Sequence, residues 1–184
     1  MDHKRHIIIA GGGASGLTAA IMAAKEGCSV TVLEHNEKTG RKICVTGNGR
    51  CNLTNRDQRE DAYHGDHPEF AREVLRQFSF EDTLHFFENI GIAFADRKGW
   101  LYPRSGQAKS VAELLEGKAR SLKVKIKTKE HVNDVFKKDG IWNVRTEGWT
   151  YQGDAVILAN GSKASSGPRS GGSGDRVGGK LGHA

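Results

Sequence analysis

HIIIAGGGASGLTAAIMAAKEGCSVTVLE, residues 6–34, carries the reading on which the fold turns. His6 to Ala10 is a short, uninterrupted apolar run with β-branched Ile7, Ile8 and Ile9, as expected of a strand buried on both faces of a parallel sheet. Gly11 to Gly16 form a turn. Leu17 to Glu26 is rich in alanine and predicts a helix, with Gly27 as its stop. Ser29 to Glu34 predicts the next strand. Strand, turn, helix and strand within about 30 residues make one βαβ unit.

Gly11-x-Gly13-x-x-Gly16 is a weak pattern by itself. Here it follows a predicted strand, opens a predicted helix, and is answered by Glu34 at the end of the second strand, the context of a dinucleotide-binding turn. Gly11 permits the tight bend, Gly13 lets the backbone approach a pyrophosphate, and Gly16 lets helix and strand pack closely. The amides of Ala14, Ser15 and Gly16 at the helix start, with the positive end of the helix dipole, suit phosphate oxygens. Glu34 can accept hydrogen bonds from an adenosine ribose. It would repel a 2′-phosphate, which favours FAD or NAD over NADP at this site.

Working outward, the 184 residues are enough for one domain, or one with part of a second, that needs no disulfide to bury a core. The 24 glycines with only 3 prolines show no collagen period. The run 7–24 contains Gly11, Gly12, Gly13, Gly16, Ser15 and Thr18, so it reads as neither a membrane span nor a signal peptide. Three cysteines, with no secretion signal ahead of them, fit a reducing, cytoplasmic compartment. The net charge of +6 suits a solvated surface or an anionic cofactor, with nucleic acid as the sharper alternative. Lys123, Lys125, Lys127 and Lys129 alternate with Val124, Ile126 and Thr128. This predicts a strand with one wet face, whose lysines discourage edge pairing.

Elsewhere the pattern predicts a helix over 68–78 and a second helix capped by Ser79 with Asp82 and stopped at Gly91. A hairpin follows, turning at 96–99. Ser110 with Glu113 reads as a capping box that starts a helix running to about Leu122. Val132–Phe136, Ile141–Arg145 and Trp149–Gln152 predict a three-stranded antiparallel meander. Ala155 to Ala159 is fully apolar and is placed back in the central parallel sheet. The expected fold is therefore α/β: a Rossmann-like FAD-binding domain with a parallel central sheet, an antiparallel meander and a helical excursion.

Residues 40–55, GRKICVTGNGRCNLTN, lack helical or strand period and read as a long ordered loop. Gly40-Arg41-Lys42 and the run from Thr46 to Asn55 resemble the hallmark of a bacterial flavoprotein family. Its members are described as aminoacetone-oxidase-like or bile-acid-reductase-like NAD(P)/FAD-dependent oxidoreductases. The Gly11–Gly16 turn, Leu101-Tyr102-Pro103, Ser173-Gly174-Asp175 and Leu181-Gly182-His183 are also similar to that family, and the apolar strand ending in Ala159-Asn160-Gly161 resembles the second signature of the two-dinucleotide-binding-domain flavoproteins, where threonine is usual at Asn160. The resemblance implies a flavin-dependent oxidoreductase that holds FAD, with NAD(P)H as a candidate electron donor and a small molecule as substrate.

The resemblance lays the loop along the FAD and makes Arg41, Lys42, Thr46, Gly47, Asn48, Gly49, Cys51 and Asn52 cofactor-contacting candidates. By analogy with such domains, the backbone at Val132, at the start of the meander, is a candidate to hold adenine, and Ala159 and Gly161 close the set. Arg41 and Lys42 have the charge to neutralise a pyrophosphate, and Asn48 and Asn52 can donate and accept at flavin or ribitol edges. The family continues well past Ala184. The expectation is thus a fragment: a FAD-binding domain over 1–165, then a glycine-rich segment over 166–184 leading into a further region, with the chain alone binding FAD weakly. A nicotinamide-only dehydrogenase, a disulfide-reductase-type domain using Cys44 and Cys51, and a nucleic-acid-modifying flavoprotein remain as alternatives. The eight histidines form no metal pattern, so no metal is expected. No polar residue has a spacing that demands a catalytic acid or base, and the oligomeric state is not legible.

Overall fold

The computed structural model describes residues 4–59, 62–65, 67–161 and 173–182. The chain divides into two compact units, one of residues 1–42 and 115–184 and one of residues 43–114.

The first unit opens with β1 (His6–Ala10), α1 (Ala14–Lys25) and β2 (Ser29–Glu34). β1 and β2 pair in parallel, Ile7 opposite Val30 and Ile9 opposite Val32, with Ile8, Ile9, Ala10 and Val32 fully buried. α1 turns Gly16, Leu17, Ala20 and Ile21 inward, positions one turn apart on one face. It begins at Ala14 rather than Leu17, because Ala14, Ser15 and Gly16 of the turn already take helical geometry. Gly27 ends it in the left-handed region at φ +83°.

In the second unit a 3-10 segment spans Ile43–Gly49, broken by a kink, and leads to the short β3 (Thr54–Asn55). Two helices follow, α2 (Pro68–Arg76) and α3 (Phe80–Asn89). Ser79 caps α3 as expected: its hydroxyl accepts from the Asp82 amide at 3.1 Å while the Asp82 carboxylate accepts from the Ser79 amide at 2.8 Å. β4 (Phe94–Arg97) and β5 (Trp100–Pro103) form the expected hairpin. Lys98 at φ +56° and Gly99 at φ +89° make the turn, and β3 joins the far side of β5.

α4 (Ala108–Ser121) starts two residues before the expected box. Ser110 lies inside the helix, its hydroxyl on the Gln107 carbonyl at 2.8 Å, while the Ser105 hydroxyl accepts from the Gln107 amide at the entry. The lysine-faced strand is β6 (Lys125–Thr128), which pairs in parallel with β2 and occupies the end of the sheet order. β7 (Asp134–Lys138), β8 (Ile141–Arg145) and β9 (Thr150–Gly153) are the predicted meander. β10 (Ala155–Leu158) then pairs with β1 in parallel, giving the order β10-β1-β2-β6. It returns to the parallel sheet as read, half-buried at the end of that order. α5 (Ser173–Lys180) brings Val177 into the core with Ile8, Leu33, Val135 and Val144. The expected stretch 166–172 lies outside the described residues.

The parallel strands β1, β2 and β10 all run out at one edge of the sheet. In open α/β sheets that edge is where ligands bind.

Candidate functional site

The turn after β1 is built by backbone approach. The Gly11 amide donates to the Leu33 carbonyl at 2.8 Å and the Ala159 amide to the Ala10 carbonyl at 2.7 Å, so the ends of β1, β2 and β10 are tied together. Gly11 sits at φ +108°, and a Cβ there would lie 2.4 Å from the Ala159 oxygen. A Cβ on Gly16 would lie 1.9 Å from the Gly11 oxygen, so helix, turn and strand can meet only if both positions are glycine. Ala159 therefore serves as packing wall as well as site residue.

Gly13 is different. Its φ of −80° suits any residue, and a Cβ there would meet no protein atom within 4 Å. Gly13 is the N-cap of α1, with no side-chain cap and no acidic residue in the first turn. Ala14 and Ser15 are exposed beside it. The helix start thus presents amides and the positive dipole end with no side-chain cap and no carboxylate in its first turn among the described residues. This is an anion cradle that a methyl on Gly13 would fill.

Glu34 is buried, 5% exposed, at the end of β2. Its Oε2 accepts from the Gly12 amide at 2.8 Å, and its Oε1 accepts from the Asn36 amide at 2.8 Å and from Asn36 Nδ2 at 2.7 Å. His35 Nδ1 lies 3.1 Å from the same Oε1. A carboxylate offers about four acceptor sites, two per oxygen. Oε1 is filled, and Oε2 keeps one site, the capacity a ribose hydroxyl requires. The sequence reading found Glu34 but not Gly12, His35, Asn36 or Thr39. The Gly12 carbonyl accepts from the Gly40 amide at 2.8 Å. Thr39, 7% exposed, packs its methyl on Gly12 and donates its hydroxyl to Glu116 Oε2 at 2.5 Å.

Burial pushes the Glu116 carboxyl up, but hydrogen bonds from Thr39 and Arg120 outweigh it and hold the group below its ordinary value. Arg41 is exposed and donates Nη1 to Asn36 Oδ1 at 3.1 Å. Lys42 Nζ lies 3.5 Å from where a Cβ on Gly161 would stand, so Lys42 and Gly161 are neighbours. Val132 buries its side chain in the core with Ala10 and Leu33. It follows Lys129 and Glu130, whose amides donate to the Asn36 and Glu34 carbonyls at 3.0 and 2.9 Å. His131 meets His35 edge-on at 6.1 Å. Gly11, Gly13, Ala14, Ser15, Gly16, Glu34, Arg41, Lys42, Val132, Ala159 and Gly161 therefore all fall in the first unit, where the strand ends gather.

Thr46, Gly47, Asn48, Gly49, Cys51 and Asn52 fall in the second unit. Gly47, Asn48, Gly49 and Cys51 all have φ between +53° and +78°, the left-handed region that glycine and asparagine enter readily and cysteine rarely. The Thr46 hydroxyl donates to the Ile43 carbonyl at 2.7 Å, and the Cys51 amide donates to the Thr46 carbonyl at 3.1 Å. Asn52 Oδ1 is buried and has no hydrogen-bond partner among the described residues. Tyr102 carries Arg50 and Arg97 over its ring at 5.6 and 5.8 Å. Cys28, Cys44 and Cys51 are free thiols. Burial pushes the Cys51 thiol above its ordinary value, with Thr46 opposing and Cys44 adding to it, the reverse of what a reactive thiolate needs.

The described residues contain no group of three or more His, Cys, Asp or Glu placed to hold a metal ion, and no helix long and apolar enough to cross a membrane.

The comparisons with known proteins agree with this layout. The chain is 48% identical over 177 residues to a 3-dehydro-bile acid delta(4,6)-reductase of Clostridium scindens, covering 95% of this chain and 43% of the relative. It is 32% identical over 136 residues to a ribosomal RNA dihydrouridine synthase of Haemophilus influenzae, covering 73% of this chain and 34% of that protein. It thus spans less than half the length of these relatives. Among solved structures, the 3-ketosteroid-delta4-(5alpha)-dehydrogenase of Rhodococcus jostii, in complex with 4-androstene-3,17-dione, shares the fold. Its TM-score is 0.61 at 19% identity, over 88% of this chain and 46% of that one. A family model described as the HI0933-like protein Rossmann domain matches residues 5–184, and the chain belongs to that family.

Proposed function

We propose that this chain is the FAD-binding part of a flavin-dependent oxidoreductase. The observation that carries this reading is the open approach at Gly13, beside an uncapped helix start and a buried carboxylate with one acceptor site to spare. FAD, when bound, supplies the hydride or electron transfer. The chain's own residues position it. The Gly13 backbone and the amides of Ala14, Ser15 and Gly16 receive the diphosphate, with Arg41 and Lys42 offsetting its charge. Glu34 Oε2 accepts from a ribose hydroxyl, and the backbone at Val132 meets adenine. Ala159 and Gly161 bound the turn. In the 46–52 loop the same reading assigns cofactor contact to Thr46, Gly47, Asn48, Gly49, Cys51 and Asn52, supported by the unmet acceptor on Asn52.

The substrate class follows the closest chemistry among the relatives named above: an unsaturated ketone on a steroid or bile-acid frame. NAD(P)H is the proposed electron donor and the cytoplasm the proposed compartment. The proposed division is a FAD domain over 1–165 and a segment over 166–184 that leads onward. The test is to purify the full-length protein containing this chain, release its cofactor and identify it. A yellow protein that releases FAD and loses it on Glu34→Ala supports the proposal. A colourless protein that takes up no FAD but binds NAD overturns it.

The identity to a ribosomal RNA dihydrouridine synthase favours one second reading, a flavoprotein whose substrate is RNA. Retention of ribosomal RNA that falls steeply with salt would select it.

A further inference from the structure

Two histidine rings stand together beside Glu34, and the cofactor reading gives them no part. β2 ends at Glu34 opposite Thr128 of β6, and the chain beyond the two strands stays tied. The Lys129 amide donates to the Asn36 carbonyl at 3.0 Å, and the Glu130 amide donates to the Glu34 carbonyl at 2.9 Å. Lys129 Nζ pairs with Glu37 Oε1 at 2.9 Å, and Glu130 Oε1 accepts from the Tyr151 hydroxyl of the meander at 2.9 Å. His35 and His131 are carried by these tied segments. Their ring centroids lie 6.1 Å apart with the planes at 83°. His35 Nδ1 lies 3.1 Å from Glu34 Oε1, while the spare acceptor site is on the other oxygen, Oε2. The His35 side chain is 47% exposed and His131 is half-buried, so neither ring fills the core.

We propose that His35 and His131 together form the seat of the adenine ring and set the preference of this site for a purine base. This deepens the FAD reading and rests on it. A base is joined directly to its ribose, and His35 is joined directly to the proposed ribose acceptor. Because the two rings are perpendicular, a flat base lying against one stands edge-on to the other. Offset stacking and edge-to-face contact, the two favourable aromatic arrangements, are then made at once. The ties between the two segments fix both rings before a ligand arrives, so little freedom is lost on binding. A purine covers more of such a corner than a pyrimidine does.

The test is calorimetric titration of the full-length protein containing this chain, stripped of cofactor, with ADP and with UDP. The two share ribose and diphosphate and differ in the base. ADP is expected to bind roughly tenfold more tightly, and His35→Ala with His131→Ala should weaken ADP by about tenfold, the order of one lost base stack. UDP should weaken far less, so the preference collapses, and the Tm should hold because neither ring is buried. His35→Ala alone, at the more exposed position, should already narrow the preference. His35→Phe with His131→Phe keeps two flat rings and should restore most of the ADP affinity. Equal binding of ADP and UDP by the unaltered protein, full ADP binding by the alanine pair, an equal loss of both nucleotides, or no rescue by phenylalanine overturns the proposal. An unaltered protein that binds neither nucleotide sinks the diphosphate cradle itself, and the FAD reading with it. One that binds both but fails any comparison above loses only the adenine seat.

Discussion

Replacing Gly13 with alanine separates ligand binding from folding more sharply than any other change in this chain. The backbone there, φ −80° and ψ −168°, is open to alanine, and the new methyl meets no protein atom within 4 Å. Stability should therefore move by about 0.5 kcal/mol or less, or rise slightly through a stiffer unfolded chain. A diphosphate oxygen in the cradle needs an N–H···O distance of about 2.7–2.9 Å, which the methyl prevents. Losing one such charge-assisted bond, at about 1.5–3 kcal/mol, predicts FAD binding weakened roughly 10- to 150-fold. Gly16→Ala is the paired control. Its methyl would lie 1.9 Å from the Gly11 oxygen, so it should cost about 3 kcal/mol of stability or prevent folding. The assay is FAD titration by fluorescence quenching beside thermal unfolding of each variant. A Gly13→Ala protein that folds and binds FAD as before refutes the reasoning. So does one that loses stability as Gly16→Ala does, because the glycine would then serve packing.

Three further outcomes are expected. Glu34→Ala leaves the buried Gly12 amide unsatisfied and should lower stability by about 1–3 kcal/mol in the absence of any cofactor, read as a drop in Tm. Thr39→Val removes a hydrogen bond that holds Glu116 low. A depressed carboxylate contributes stability above its unfolded value near 4.5 that is lost as pH falls through the folded value. The variant should therefore lose about 1 kcal/mol at neutral pH and show a shallower dependence on acid, measured by urea unfolding across pH 3–7. Cys51, buried with its thiol pushed up, should be alkylated by iodoacetamide more slowly than Cys44, a peptide-mapping result that faster labelling of Cys51 would contradict.

The parts of this molecule legible in the sequence are those whose cause is local. The limits of β2 at Ser29 and Glu34 follow from an apolar, β-branched run, and the Ser79–Asp82 box follows from two side chains three residues apart. The two hairpin turns follow from Lys98-Gly99 and Asp139-Gly140, which take positive φ as such pairs do. What failed to read depends on partners distant in the chain. Ser110 and Glu113 have the right spacing for a cap, but the bend at Gly106 and the hydroxyl of Ser105 set the start of α4 earlier. AVILA is apolar enough to be placed in the parallel sheet, where it is found, but its position at the end of the order is set by pairing with the distant β1, which its own residues do not encode. Asn36 and Thr39 matter because Gly12 lies beside them in space. The one local hint was a carboxamide two residues after an acid, where it can fold back on that acid.

Glu34 shows why the glycine motif and the acid belong together. In dinucleotide-binding turns the acid is usually read as a contact for ribose alone, but here one of its oxygens already accepts the Gly12 amide. The acid therefore fixes the middle of the turn before any ligand arrives, while Asn36 orients the carboxylate through its other oxygen. Gly40, donating to the Gly12 carbonyl, holds the next peptide of the turn. A turn fastened in this way loses little backbone freedom on binding, so more of the diphosphate's interaction with the helix start is left as affinity. The same arrangement makes the proposed site sensitive to the loss of one carboxylate in two separable ways: the proposed ribose acceptor disappears, and the Gly12 amide is released.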